Sequence, residues 1–561
     1  MTRGTMKTAC LALAALLALG GCTVTIHTGD EGVDRTSFKA DRIKADVAFL
    51  ADDRLGGRDT GSAGHEIAAN YVAAQFTRLG LVPAGDDGGY FQNVPFQTAH
   101  ITPDDVALSL TMGGETTDLT VGDEYLMSGS VRTADATVEG DVVFVGYGIH
   151  APDLGHDDLA GVDLTGKIAL VISGAPKSFQ TEIRAHHGSG RTKTRALGAR
   201  GAVGYITVNS AIDEKRRPFA RSRRFLGRKS FNWIAPDGPD AGENGVRVTA
   251  TVSHGVARRM FAAGGGDFDA VLAEADAGSP KARPLDVRAS LSRKSRRSDT
   301  FTSPNVVALL EGTDPELAGE VVVMTAHLDH IGTNETLKGP DKINNGAMDN
   351  ATGVSILMEV ARVYAETGIR PRRSILFAAV TAEEKGLLGA DYLARFPTRP
   401  DLRVVANVNV DMPVLLYDFV DVVAFGADRS TLGPMAAQAL DKAGVTLSPD
   451  PIPEEGIFTR SDHYRFVQQG VPSVFLMTGW GESPDGEDGG ALFREFLSKT
   501  YHTPRDDVSL PINYQAGAKF AYVNWLILTD VANADGIPVW NRGDFFGQAF
   551  SGPMAPAQAA P

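Results

Sequence analysis

Five side chains of the kinds that bind divalent metal ions are spread over the second half of the chain. They are His327, Asp349, Glu384, Asp411 and His502. Imidazole nitrogens and carboxylate oxygens are the ligands of hydrolytic metal sites, where bridging and terminal carboxylates offset about four positive charges of two ions. The residue types therefore predict a two-metal hydrolytic site.

Three of these ligands follow short apolar runs that are typical of buried parallel strands. The runs and the ligands after them are residues 320–326 before His327, 374–380 before Glu384 and 404–410 before Asp411. Because the carboxyl ends of parallel strands lie at one edge of an open sheet, ligands placed there can meet. Asp329, two residues beyond His327, is expected to hold that imidazole. His330 is interpreted as a loop residue without a role.

The other two ligands lie outside strands. Asp349 precedes residues 354–364, whose apolar spacing is helical, so Asp349 either caps a helix or bridges two metals. His502 lies in the loop of residues 499–507. By itself this position does not indicate a metal ligand, and His502 is included because it would complete the ligands of a second metal.

The segments around all five residues resemble the co-catalytic zinc exopeptidases, a family that includes bacterial leucyl aminopeptidase and glutamate carboxypeptidase. The ligands are separated by 22, 35, 27 and 91 residues, in the family's order. The matching segments are TAHLDHIG around His327, NNGAMDNATG around Asp349, TAEEKGLLGA around Glu384, NVNVDM around Asp411, RSDHYRF at residues 460–466 and YHTPRDD around His502.

This resemblance implies two zinc ions per chain and a role for each matching residue. Asp349 would bridge the two ions. The remaining ligands would be His327 and Asp411 for one ion, and Glu384 and His502 for the other. Glu383 would be the general base that takes a proton from the attacking water and passes it to the leaving amine. Glu383 and Asp329 are thus the candidate catalytic residues.

The group that stabilises the tetrahedral oxyanion is left open. The family commonly supplies a phenol or an imidazole just before its Ser-Asp-His signature, but the residues immediately before Ser461 include neither. The candidates are Arg460, His463 and Tyr464.

At 561 residues the chain is long enough for more than one domain. The expected fold class is α/β: a mixed, mainly parallel sheet flanked by helices, with a smaller inserted α/β domain. Short strand-like runs near residues 142–149, 166–172 and 198–206 make the insert resemble a protease-associated domain. The expected divisions are a signal peptide at 1–21, a tether at 22–34, the peptidase domain at 35–128 and 298–546, the insert at 129–288 and a disordered tail at 547–561.

The amino terminus has the pattern of a secretory signal. Two cations precede an apolar run at residues 9–18, which ends in Leu-Gly-Gly-Cys22 and resembles a bacterial lipoprotein processing box. Cys22 is then the lipidated first residue, and plain cleavage without lipid is the alternative. The protein is expected in the bacterial cell envelope, lipid-anchored to the membrane and facing the periplasm. Thr23 after the cysteine favours the outer membrane.

Charge and cysteine content limit the partners and the chemistry. The net charge of −15 and the pI near 5.3 argue against nucleic-acid binding. Apart from Cys22 the only cysteine is Cys10, within the signal, so metal must be held by nitrogen and oxygen ligands. The basic run of residues 215–229 is either a solvated loop or a flap that contacts acidic substrate groups or anionic lipid.

The sequence therefore predicts a zinc-dependent exopeptidase acting on peptides, most simply an aminopeptidase. A carboxypeptidase of the glutamate carboxypeptidase type is the alternative within the family. A non-catalytic receptor-like relative is a second alternative, but the presence of all five ligands and Glu383 argues against it. A zinc glutaminyl cyclase shares the fold but would not need a full two-metal site or an insert.

Overall fold

A computed structural model describes residues 32–236 and 245–556. The predicted signal peptide, the lipidation site Cys22 and the basic amino-terminal residues lie outside these ranges. Within the described ranges, no helix is both long enough and apolar enough to cross a membrane.

The strands and helices alternate through most of the chain. The strands are β1 Val82–Pro83, β2 Phe91–His100, β3 Val106–Met112, β4 Glu115–Asp118, β5 Tyr125–Leu126, β6 Asp135–Phe144, β7 His150–Ala151, β8 His156–Asp157, β9 Ile168–Ile172, β10 Gly204–Val208, β11 Ser230–Trp233, β12 Val248–Val252, β13 Arg283–Lys294, β14 Arg296–Arg297, β15 Phe301–Leu310, β16 Glu320–His327, β17 Gly332–Thr333, β18 Ile343–Asn344, β19 Ser374–Val380, β20 Arg403–Val410, β21 Asp421–Phe425, β22 Thr446–Ser448 and β23 Ser473–Thr478. The α-helices are α1 Ala40–Leu50, α2 Ala63–Arg78, α3 Thr181–Gly188, α4 Gly190–Ala199, α5 Ala211–Arg216, α6 Phe219–Ser222, α7 His254–Ala263, α8 Phe268–Asp276, α9 Thr352–Thr367, α10 Leu388–Arg395, α11 Leu432–Lys442, α12 His463–Val467, α13 Gly489–Lys499, α14 Tyr514–Asn533 and α15 Phe545–Ala549.

The larger sheet runs in the order β11-β2-β15-β19-β16-β20-β23-β21-β22, with β1 and β14 as short additions. Its four central strands, β19, β16, β20 and β23, are parallel to one another. The strands that flank this centre, β15 and β21, pair with it antiparallel. The predicted mixed α/β sheet is confirmed, and its parallel part is the centre, where the candidate ligands lie.

Both faces of the larger sheet are buried, which explains why its strands are continuously apolar rather than alternating. In β19, Ile375 and Phe377 pack on the side of α9 and α14. The intervening Leu376 and Ala378 pack on the opposite side, against Leu393 of α10. Each such side chain contributes about 1.5–3 kcal/mol relative to exposure. This double burial holds the central strand ends in fixed positions.

A second, eight-stranded sheet runs in the order β4-β3-β13-β6-β9-β10-β12-β5. It takes up more of the chain than the predicted insert of residues 129–288, because β3, β4 and β5 come before residue 129. These early strands depend on distant partners, such as Leu108 of β3 opposite Leu291 of β13. Conversely, β11 falls within the predicted insert but pairs with β2 of the larger sheet. The resemblance of this region to protease-associated domains stays a prediction.

The predicted disordered tail is wrong for residues 547–556. Helix α15 continues to Ala549, and the ring of Phe550 contacts the ring of His186 at a centroid distance of 5.7 Å. Met554 then forms a bridge with Trp540. The Ala- and Pro-rich composition suggests disorder, but the aromatic residues around it supply a surface on which the segment folds. Residues 557–561 lie outside the described ranges.

A buried carboxylate joins the two parts of the molecule. Asp391 of α10 is fully buried and binds Arg191 of α4 at 3.0 Å and Arg395 at 2.9 Å. The indole of Trp233 in β11 also donates to Asp391, at 3.1 Å. Burial alone would raise the pKa of Asp391, but the guanidiniums of Arg465, Arg191 and Arg395 outweigh burial and lower the pKa to about 2.

Asp391→Asn should lower the free energy of unfolding by about 3 kcal/mol at pH 7, because it leaves the buried Arg465 and the partly buried Arg191 and Arg395 without their buried anion. Urea unfolding measures this change. Since the folded pKa is depressed, the carboxylate of Asp391 stabilises the wild type above pH about 4, and this contribution should disappear as the pH falls towards 2.

Asp401→Asn is the matched control for this substitution. Asp401 also pairs with an arginine, Arg399 at 2.6 Å, but its side chain is 57% exposed. The control should change stability by less than about 0.5 kcal/mol. Equal decreases in the free energy of unfolding for the two variants would mean that the contacts of Asp391 do not stabilise the contact between the two parts of the molecule.

Candidate metal centre

Three neighbouring parallel strands deliver candidate ligands to one edge of the larger sheet. His327 is the last residue of β16, and Asp411 follows the last residue of β20. Glu384 lies four residues after the end of β19. Because β19, β16 and β20 are adjacent and parallel, their carboxyl ends place these three side chains close together.

Asp349 lies in the turn that precedes α9 and is not the N-cap of that helix. The N-cap position is occupied by Ala351. The turn needs a glycine at Gly346, whose φ is +61° and where a Cβ would come within 2.2 Å of the Asp349 carbonyl oxygen. Asp506 fixes the turn by accepting backbone N–H groups of Met348 at 2.7 Å and Asp349 at 3.0 Å. The capping alternative is therefore wrong, and the carboxylate is free for another role.

The first group of candidate ligands comprises His327, Asp349 and Asp411. The Nε2 atom of His327 lies 3.1 Å from Asp349 Oδ1 and 3.1 Å from Asp411 Oδ1. The second oxygen of Asp411 accepts a hydrogen bond from Ser461 at 2.6 Å. This bond orients the carboxylate towards the imidazole.

The second group comprises His330, Asp349, Glu384 and His502. His502 Nε2 lies 3.2 Å from both Asp349 Oδ2 and Glu384 Oε1. His330 Nδ1 lies 2.8 Å from Glu384 Oε1 and 3.8 Å from Asp349 Oδ2. Asp349 thus contributes one oxygen to each group and joins them.

His330 was missed by the sequence interpretation, which treated it as a loop residue. It is fully buried, as are its neighbours Leu328 and Asp329. The sequence feature that could have identified His330 is an imidazole only three residues after the predicted ligand His327. The alternation of side chains between the two faces of a strand could not predict its direction, because β16 ends at His327.

Asp329 acts differently from the prediction. Its backbone carbonyl, not its carboxylate, receives the Nδ1 of His327 at 3.0 Å, and the nearest carboxylate oxygen is 4.0 Å away. The carboxylate instead accepts from Thr60 at 3.1 Å and from the backbone N–H of Glu383 at 3.0 Å. Asp329 therefore positions the Glu383 backbone as well as the imidazole.

The electrostatic surroundings shift the pKa values of the adjacent Glu383 and Glu384 in opposite directions. Burial raises the pKa of Glu383 well above its usual range, and the negative charges of Glu384, Asp411 and Asp462 add to this effect. Burial and Asp349 also act to raise the pKa of Glu384, but the imidazoles of His330 and His502 outweigh them and lower the pKa to about 2. Glu384 is thus a permanent anion suited to bind a cation, whereas Glu383 is suited to take up a proton.

None of the three predicted oxyanion candidates has a described contact with the ligand groups. Arg460 is exposed and pairs with Glu455 at 3.5 Å. Tyr464 bonds through its hydroxyl to His186 at 2.5 Å. His463 is fully buried, with its ring between those of Phe458 and Phe475.

Tyr501, in contrast to these three candidates, contacts a residue of the ligand groups. Its ring stacks on the ring of His502 at a centroid distance of 3.7 Å. Burial raises the pKa of the phenol, and the carboxylates of Asp349, Glu384, Glu383 and Asp411 raise it further. The phenol therefore remains protonated beside the carboxylates and can donate a hydrogen bond.

Arg58 is a buried cation beneath the carboxylates. Its guanidinium donates to the carbonyl oxygens of Leu328 at 2.9 Å, Asn345 at 2.6 Å and Gly346 at 2.9 Å. Burial lowers the pKa of Arg58 to about 10, so it is charged at neutral pH. It thus connects the segment after His327 with the turn before Asp349.

The donor set fits divalent metal ions. Both groups consist of imidazole nitrogens and carboxylate oxygens, which suit zinc and similar first-row ions. The buried atoms His330 Nδ1, His330 Nε2 and Glu384 Oε1 have no hydrogen-bond partner among the described residues. A cation would satisfy such atoms, which otherwise cost free energy when buried.

Comparison with known proteins places this centre within a family segment. Residues 305–527 match the model of Peptidase family M28. The chain is 41% identical over 109 residues to a probable zinc metalloprotease of Leptosphaeria maculans, covering 19% of this chain and 24% of that protein. It is 36% identical over 269 residues to a probable zinc metalloprotease of Pyricularia oryzae, covering 43% and 52%. The matches thus span about half or less of these relatives' length.

Among solved structures, the chain is similar to an aminopeptidase from Aneurinibacillus sp. strain AM-1. The sequences are 20% identical, the alignment covers 90% of this chain and 96% of that one, and the TM-score is 0.49.

Arg58→Met should lower the free energy of unfolding by at least about 3 kcal/mol, because four backbone carbonyl groups, that of Leu50 included, lose a charged donor and the carboxylates lose a nearby cation. The loss should be smaller when a divalent metal is present, since the metal supplies positive charge. Denaturant unfolding with chelator and with metal compares the two conditions.

Arg54→Met is the control for Arg58→Met. The side chain of Arg54 is 83% exposed and pairs with Asp52 at 2.7 Å. Its loss should cost less than about 1 kcal/mol in either condition. A loss for Arg58→Met that is small, or unaffected by metal, would contradict the role given to this cation.

Proposed function

We propose, from the match of residues 305–527 to the model of Peptidase family M28, that this chain is a zinc-dependent exopeptidase that releases amino-terminal residues from peptides. The observation that carries the proposal is the pair of ligand groups that share Asp349, with Glu383 beside them. A single carboxylate that serves two groups is the expected arrangement for a bridging ligand between two ions.

Two zinc ions are proposed as the cofactor. His327 and Asp411 would hold one ion, Glu384 and His502 the other, and Asp349 both. When bound, such ions polarise the scissile carbonyl and lower the pKa of water.

Glu383 is proposed as the general base. Its raised pKa suits a carboxylate that must accept a proton from water and then release it to the leaving amine. The hydrogen bond from its backbone N–H to the carboxylate of Asp329 fixes the backbone of Glu383 without using its own carboxylate. Its side chain is therefore available for proton transfer.

Tyr501 is proposed to donate a hydrogen bond to the oxyanion that forms on the scissile carbonyl. The phenol stays protonated, and its ring stacks on the imidazole of His502, which would hold one of the ions. Donors fixed in advance stabilise developing charge at no cost in reorganisation.

The charges beside the centre favour a substrate with a free amine over one with a free carboxylate. Glu384, whose pKa is lowered to about 2, and Asp411 contribute negative charge there. The cations near them are already engaged, since Lys385 pairs with Asp59 at 2.6 Å and Arg465 donates to Gly386 and Gln468. A carboxypeptidase would need such cations for the terminal carboxylate. The envelope location and the lipid at Cys22 stay predictions from the sequence.

Hydrolysis of a panel of dipeptides tests whether the enzyme recognises the free amino end or the free carboxyl end of its substrate. A dipeptide with a free amine and an amidated carboxyl end should be cleaved, whereas its N-acetylated counterpart should not. Chelation should abolish cleavage and zinc should restore it. Cleavage only of N-acetylated dipeptides with a free carboxylate would establish the carboxypeptidase alternative. No cleavage by a zinc-loaded protein would favour a non-catalytic relative.

Glu383→Gln should lower kcat/KM by about 100- to 10,000-fold while zinc content is unchanged, because the base is lost and no ligand is removed. Metal analysis and peptide hydrolysis on the same preparation measure both quantities. Glu384→Gln is the matched control and should lose zinc. If Glu383→Gln loses zinc and Glu384→Gln retains it, the roles of the two glutamates have been exchanged.

A further inference from the structure

The orientation of His330 is unusual for a buried histidine. Its Nδ1 atom lies 2.8 Å from Glu384 Oε1, well within hydrogen-bond distance. Yet neither atom has a hydrogen-bond partner among the described residues, so this close approach does not meet the geometry of a hydrogen bond. Two polar atoms that approach closely without bonding to each other are arranged as two ligands directed at a common third atom.

The distances within the second group agree with a tetrahedral ligand set. In such a site, ligand atoms about 2.0–2.1 Å from zinc lie about 3.3 Å from one another. The measured separations are 2.8 and 3.8 Å from His330 Nδ1 to Glu384 and Asp349, and 3.2 Å from His502 Nε2 to each of these oxygens. All four atoms lie within 4.8 Å of one another.

The first group offers fewer ligands. Within the described residues it comprises His327, Asp349 and Asp411. The other nitrogen of His327 is used in its bond to the Asp329 carbonyl. Three protein ligands leave a tetrahedral position for a non-protein ligand, as in catalytic zinc sites, whereas four protein ligands are typical of structural sites.

We propose that His330 is a fourth protein ligand in the site formed by Asp349, Glu384 and His502, so that this site is closed while the site of His327 and Asp411 is open. The proposal rests on the proposed function only in taking the centre to hold two zinc ions. It departs from the ligand set implied by the resemblance, in which the two ions have equivalent surroundings.

Closure of one site makes the two ions unequal. The closed site should bind zinc more tightly, because four pre-placed side chains surround the ion. The open site should exchange zinc more readily and should be the one that accepts water and the substrate carbonyl. The first zinc equivalent would then organise Asp349, which the second equivalent also requires.

Zinc titration against competing chelators tests this asymmetry. The wild type should show one tight and one weaker equivalent. His330→Asn should weaken the tighter equivalent at least about 100-fold, the upper end of the cost of losing a residue that only supports a ligand. Retention of the wild-type affinity by His330→Asn would overturn the proposal.

His65→Asn is the matched control. His65 is likewise buried with an unpartnered Nε2, but its Nδ1 lies 3.2 Å from the hydroxyl of Ser303 rather than from a ligand carboxylate. This variant should keep both zinc affinities. An equal loss in the two variants would mean that the effect is general destabilisation, and would count against a ligand role for His330.

X-ray absorption by the wild-type protein loaded with a single zinc equivalent provides a test that needs no variant. Two imidazoles in the zinc surroundings are expected, and one imidazole would refute the proposal. These measurements do not depend on catalysis. A protein that binds zinc as described but cleaves no dipeptide would disprove the proposed function and leave the inference on His330 intact.

Discussion

The concentration of buried negative charge at one sheet edge is the constraint on which the rest of the structure depends. The carboxylates that follow β16, β19 and β20 converge there with those of Asp349, Asp462 and Asp506, and most of them are buried. Such a cluster is stable only with compensating cations or protons. Among the described residues, Arg58, Lys385 and Arg465 supply positive charge to these carboxylates, and the imidazoles and the proposed metal ions would supply the rest. Folding and metal binding are therefore coupled, because the site that best binds the ions is the site that most needs them.

The segment that matches the family model does not build this centre alone. Arg58 and Thr60 lie far upstream of residue 305, yet they bind the backbone near His327 and the carboxylate of Asp329. Arg58 and Thr60, in the segment between α1 and α2, are thus a physical part of the candidate metal centre. Their role is to hold loops whose own sequence is rich in glycine and asparagine and would otherwise sample many conformations.

The sequence allowed the five principal ligands to be predicted because each belongs to a local motif with a recognisable strand or loop beside it. His330 could not be placed, since alternation assigns faces only while a strand continues and β16 ends three residues earlier. Two other predictions were wrong for a related reason: that Asp349 caps α9, and that the carboxylate of Asp329 holds His327. Both depend on the path of the backbone through a turn, which residue types alone do not determine. The mixed sheet was predictable, but β3 and β5 find partners more than a hundred residues away, which no local pattern reveals.

The pairing of β11 with β2 affects how the two parts of the molecule can move. The chain leaves the larger sheet after β2, returns to it at β11 from within the second sheet's sequence, departs again and re-enters at β14 and β15. A lobe attached by one or two linkers could swing as a rigid body on a hinge. This interwoven path instead requires four residue pairs between β11 and β2 to separate before the lobes can part. Excising the segment that forms most of the second sheet would therefore also remove an edge strand, β11, from the first.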